Sequence, residues 1–127
     1  MHFEVASGTT FAGTYDLVCF FDCLHDMGDP AGACAHVRDR LAPDGTLMLI
    51  EPFANDDLAD SLNPVGAAYY AFSTLLCTPC SLSQEAGTAL GAQAGEARLR
   101  EVVTGAGFRT LRRVAGTPFN IVLEAKA

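Results

Sequence analysis

Residues 15–53 read YDLVCFFDCLHDMGDPAGACAHVRDRLAPDGTLMLIEPF, and the order of apolar runs and breakers in this stretch decides the fold. Tyr15 to Phe21 is nearly continuous apolar sequence, the pattern of a strand covered on both faces as in a parallel sheet. Polar residues end it abruptly. Asp29-Pro30 supplies an N-cap and a first-turn proline, and Ala33, Val37 and Leu41 then recur along one helical face, so a helix follows. Pro43-Asp44-Gly45 is expected to stop that helix. Thr46 to Ile50 is a second buried strand ending at Glu51-Pro52. A βαβ unit carries its chemistry beyond the carboxyl ends of its strands, which is where Asp22, His25, Asp26 and Glu51 fall.

Outward from this unit, Phe3 to Ala6 reads as a short strand and Ser7 to Gly13 as a Gly/Thr-rich turn. Downstream, Asn63-Pro64 opens a helix carrying Val65, Ala68, Tyr69, Phe72, Leu75 and Leu76, and Thr78-Pro79 is expected to close it. A second helix is expected from Ser81 or Ser83 through Leu90. Glu96 to Ala106 is the best amphipathic helix, with Leu99, Val102, Val103 and Ala106 on one face and Gly107 as its cap. Phe108 to Val114 and Phe119 to Glu124 then read as an antiparallel hairpin.

The chain's 127 residues bound it to one domain with one core. Its eight Lys and Arg against fifteen Asp and Glu give a net charge of −7, which argues against nucleic acid or an anionic membrane as partner and leaves small molecules or proteins. The longest mostly apolar run, Val65 to Cys77, is shorter than the roughly 20 residues that span a bilayer, and MHFEVASG has no signal-peptide character, so the reading is a cytoplasmic protein. Five cysteines, an odd number with Cys19 inside an apolar strand, fit reduced thiols of the same compartment.

The residues Tyr15-Asp16-Leu17-Val18, Leu24-His25-Asp26-Met27, Asp29-Pro30, His36-Val37-Arg38 and Leu41 through Phe53 together resemble class I S-adenosylmethionine-dependent methyltransferases, at their fourth strand, following helix and fifth strand. The resemblance is greatest to the small-molecule O-methyltransferase-like branch, whose fourth strand commonly ends in His-Asp-aromatic, with Met27 here in the aromatic position. It extends through the C-terminal hairpin. It implies an α/β fold: a partial Rossmann-like sheet with helices on both faces, a helical insertion over residues 54–94, and the whole of residues 1–127 forming the C-terminal half of a methyltransferase domain.

The resemblance also implies site residues. His25 takes the place of a general base that removes the acceptor's proton, although a histidine here serves equally to cap the strand–helix loop. Ser7, Gly8, Phe21 and Asp22 fall at cofactor-binding positions, with Ser7 where an acidic or small residue sits beside the adenine. Tyr69, Tyr70 and Phe72 are candidates for the substrate pocket, against the plainer reading of an apolar stripe that packs the helix. Asp22, Asp26 and Asp29 lack a convincing ligand spacing, and Cys77-Thr78-Pro79-Cys80 is a lone CxxC without the further ligands of a tetrahedral zinc site, so no metal is expected.

The family's glycine-rich cofactor loop and the acidic residue that holds the ribose have no counterpart here; Gly105-Ala106-Gly107 follows a helix. The expectation is a truncated S-adenosylmethionine-dependent methyltransferase portion acting on a small-molecule acceptor, with weak or no binding of the cofactor by this chain alone. The alternative is a non-catalytic, self-associating or interaction module. A homodimer through the 15–21 strand, or pairing of that strand with the missing N-terminal half, completes the reading.

Overall fold

A computed structural model describes residues 1–127, which form a mixed four-stranded sheet of order β1-β2-β4-β3. Strand β1 (Tyr15–Phe21) pairs in parallel with β2 (Leu41–Pro52), with Leu17 opposite Thr46 and Phe21 opposite Ile50. Between them runs helix α1 (Pro30–Arg40), started by Asp29, whose carboxylate accepts the Gly32 N–H at 2.8 Å. Strands β3 (Thr110–Gly116) and β4 (Asn120–Lys126) are antiparallel, and β4 inserts between β2 and β3. This hairpin lies up to two residues further along the chain than expected.

The core is built on one face of the sheet. Phe20, Leu47, Leu49 and Leu123 point into it, and α1 and α4 (Gly95–Gly105) cover it with Ala33, Val37, Leu99 and Val103. The other face carries Leu17 and Phe21 at 53% and 65% exposure, so the apolar run of β1 is buried on one side only. Helix α4 ends as expected at Gly107, whose φ of +98° turns the chain so that Phe108 N–H reaches back to Val103 O.

Four local expectations are corrected. Phe3 to Ala6 is not a strand: no neighbour offers it a ladder, and Phe3 and Val5 are exposed. The helix after β1 ends at Arg40, before Pro43-Asp44-Gly45, because a proline disfavours helical geometry in the residue ahead of it, and Leu41 is already extended. Thr78-Pro79 does not close the helix begun at Asn63-Pro64. Instead α2 (Pro64–Phe72) passes through a π turn at Ser73–Cys77 into α3 (Thr78–Leu82); Thr78 N–H bonds Ser73 O, and the wider turn lies directly ahead of Pro79, within a helical run that continues on both sides of it. Nor is there a helix to Leu90. Gly87 and Ala89 adopt positive φ, and buried Ser81, in α3, ties the loop by donating to Met27 O at 2.8 Å and accepting from Ala89 N–H at 2.9 Å.

Candidate active site

At the carboxyl end of β1 the chain turns through Asp22 in the left-handed region, φ +46°, a conformation that costs a non-glycine residue about 1 kcal/mol or more. Two bonds hold it there. Its N–H donates to Ile50 O at 2.7 Å, and its Oδ1 accepts from Asn120 Nδ2 at 2.8 Å. A one-turn 3₁₀ helix, Leu24–Asp26, follows and places His25 against the end of β2.

That end is Glu51, 1% exposed on the core face of the sheet, where an unpartnered carboxylate would be costly. Its Oε1 accepts the Leu24 N–H at 3.0 Å and its Oε2 lies 2.5 Å from His25 Nδ1. Burial alone pulls the His25 pKa down, but the hydrogen bond and charge of Glu51, joined by Asp26 and Asp22, outweigh it and raise the pKa above the ordinary histidine value. With Nδ1 committed to Glu51, the ring offers Nε2 for chemistry, and Nε2 stands 3.4 Å from Asp26 Oδ1.

His25 lines a cleft of about 200 Å³ with Asp22, Tyr69, Phe72, Cys77 and Asn120. Tyr69 donates its hydroxyl to Phe119 O at 2.9 Å, which fixes the ring at the rim; burial and the Asp22 charge push its phenol up. Burial and the neighbouring Asp26 carboxylate push the Cys77 thiol up to about 11. Of the expected pocket aromatics, Tyr69 and Phe72 meet here, whereas Tyr70 is exposed and lies outside the cleft.

The expected cofactor residues are not brought together. Ser7 and Gly8 line a separate polar cleft of about 640 Å³, with Met27, Gly28 and Gln84, while Asp22 belongs to the His25 cleft and Phe21 is exposed on the outer sheet face. Ser7 Oγ is already engaged by Thr9, accepting its N–H at 3.2 Å. These four residues line no one cleft in this chain. Sequence reasoning placed Glu51 at the strand end but missed its bond to His25; the parallel register of β1 and β2 was the available signal.

Residues 2–95 match the family model described as "Methyltransferase domain". The chain belongs to the methyltransferase-domain family. Solved structures share this domain's fold. An O-methyltransferase family protein from Burkholderia thailandensis superposes with a TM-score of 0.67 at 19% identity, over 99% of this chain and 36% of that one. Human N-acetylserotonin methyltransferase, solved in complex with SAM, gives 0.68 at 17% identity over 98% and 33%. An O-methyltransferase family 2 protein from Planctomyces limnophilus, in complex with apigenin, gives 0.69 at 16% over 96% and 34%. No curated protein matches. This methyltransferase-domain chain therefore spans about a third of the length of the solved structures it resembles. None of its helices is long and apolar enough to cross a membrane.

Proposed function

We propose that the chain is the acceptor-side portion of an S-adenosylmethionine-dependent methyltransferase that acts on a small hydroxylated or otherwise nucleophilic molecule, with His25 as general base. One observation carries this reading: His25 Nδ1 is held at 2.5 Å by buried Glu51 while the same ring lines a cleft. In the family the cofactor supplies the methyl group. This chain's part is to orient the acceptor between Tyr69 and Phe72, to take its proton on His25 Nε2, and to stabilise the resulting imidazolium through Glu51. Glu51 is a positioning residue, since it acts through His25.

The test is turnover by an enzyme completed with the rest of the methyltransferase domain. His25→Ala is expected to lower it by roughly 10²–10⁴ near neutral pH, the range for a lost general base, with cofactor affinity nearly unchanged. Unchanged turnover would reduce His25 to a structural loop residue. For the 127-residue chain alone, calorimetry with S-adenosylhomocysteine is expected to find weak or no binding, because the glycine-rich loop and the ribose-holding acidic residue have no counterpart in it and each lost hydrogen bond to a buried polar group costs about 1–3 kcal/mol. Low-micromolar binding would overturn that expectation.

A second reading, a self-associating module, is favoured by β1. It is an edge strand, hydrogen-bonded to β2 alone, and it exposes Leu17 and Phe21. A homodimer symmetric about a two-fold axis, formed by pairing of two Tyr15–Phe21 strands, would satisfy the free backbone groups of that edge and bring the two apolar faces into one continuous sheet surface. A cytoplasmic location accords with five unpaired cysteines.

A further inference from the structure

We propose that His25, Asp26 and Cys77 form a zinc site on the wall of the His25 cleft. Their ligand atoms (an imidazole nitrogen, a carboxylate oxygen and Sγ) all lie within 4.8 Å of one another. His25 Nε2 and Asp26 Oδ1 are 3.4 Å apart, and neighbouring ligands of a tetrahedral zinc ion, with bonds near 2.0–2.3 Å, are separated by roughly 3.3–3.6 Å. That spacing suits His25 and Asp26 as two ligands of one ion, and the third atom, Cys77 Sγ, lies within 4.8 Å, close enough for a turn of its side chain to bring it in.

Three further features point to a cation. Asp26 Oδ1 is buried without a well-formed hydrogen bond, and the polar groups nearest its carboxylate are His25 Nε2 at 3.4 Å and the Cys77 thiol, the other two members of the cluster. Glu51 holds His25 Nδ1, so the Nε2 lone pair is directed away from it, which is the carboxylate–histidine arrangement that supports bound zinc. The donor set is mixed nitrogen, oxygen and sulfur, which suits zinc rather than the all-oxygen shells of magnesium or calcium. Cys77 gives up its thiol proton to solvent on binding, and since His25 and Cys77 both line the cleft, a fourth ligand, water or a small molecule, would come from there. The CxxC spacing misleads here: Cys80 is exposed and stands outside the cluster, and the partners of Cys77 come from a turn some fifty residues earlier.

If His25 is the base, and this consequence rests on that reading, zinc would occupy the lone pair the reaction needs and would act as an inhibitor. The site itself is tested without turnover. Cobalt(II), added to the chelator-treated 127-residue chain, is expected to bind one per chain, to give the charge-transfer band of a cobalt–thiolate bond, and to be displaced by zinc. Cys77→Ser should abolish the band, and Asp26→Asn should weaken binding at least tenfold, both with an unchanged circular dichroism spectrum. Cys80→Ser should leave the band intact. Glu51→Gln, in the shell behind the ligand, should weaken binding by roughly 10–100-fold. A band that survives Cys77→Ser, a band lost with Cys80 alone, or no band at saturating cobalt would overturn the proposal. Cobalt binding together with undiminished turnover in His25→Ala would leave the zinc site standing and remove only the base.

Discussion

His25 Nδ1 and Glu51 Oε2 stand 2.5 Å apart although 26 residues separate them in the chain, because the parallel register that sets Phe21 opposite Ile50 brings the ends of β1 and β2 side by side. One buried carboxylate thereby satisfies both the imidazole and the Leu24 N–H. Removing it should be felt in stability as well as chemistry. Glu51→Ala is expected to destabilise the chain by about 2–4 kcal/mol, the scale of leaving buried donors unpaired, with Glu51→Gln losing less because it can still accept from Leu24. Urea midpoints of the two variants check this; a loss in Glu51→Ala below about 1 kcal/mol would mean that water replaces the carboxylate.

Cys34 lies on the buried face of α1 with no exposed surface, and burial, then the charges of Glu51 and Asp29, push its thiol from an ordinary 9.0 up to about 12. A thiol whose folded pKa is raised contributes stability that is fully present below its unfolded pKa and is lost as pH rises from about 9 towards 12. Stability should therefore fall on the alkaline side, approaching a slope of roughly 1.4 kcal/mol per pH unit from this group. Denaturation midpoints measured across that range should decline less steeply in Cys34→Ala. Equal slopes in the two proteins would assign the alkaline loss to other groups.

Gly107 ends α4 at φ +98°, and a Cβ added there would meet the guanidinium of Arg38, which donates to Ala106 O at 2.7 Å. Gly107→Ala combines left-handed strain with loss of that link between α1 and α4. A destabilisation of roughly 1–3 kcal/mol is expected from thermal or urea unfolding. Gly105→Ala, in the same helix and with nothing within 4 Å of the added carbon, should be neutral or stabilising.

The free edge of β1 gives the self-association reading its test. Sedimentation of the wild-type chain should show a concentration-dependent dimer, and Leu17→Lys, which puts a charge on the exposed face of the edge strand, should shift it to monomer. A wild-type monomer at high micromolar concentration would rule out pairing through Tyr15–Phe21.

The linear order of residues 15–53 determined the βαβ unit, because apolar runs of strand length and an Asp-Pro helix start are local signals that act within a few residues, whereas the start of the second strand at Leu41 rather than Thr46 came from its pairing with Tyr15. The same holds for the Leu99/Val103 face of α4 and its Gly107 stop, which depend only on helical period and on the one residue that takes positive φ without cost. What local signals could not carry was decided by the sheet. Whether β1 is buried on one face or two depends on which helices reach it, and Phe3 to Ala6 is no strand because a strand exists only with a neighbour. Pro79, a helix stop in local terms, is absorbed by a π turn since the chain on both sides of it is helical. Cys77 faced Cys80 in the sequence and faces His25 and Asp26 in space, and Glu51 became the partner of His25 only through the pairing of two strands. Spacing along the chain sets period and punctuation; the distance between residues 26 or 50 apart is fixed by packing, and the chemistry of this cleft depends on that distance.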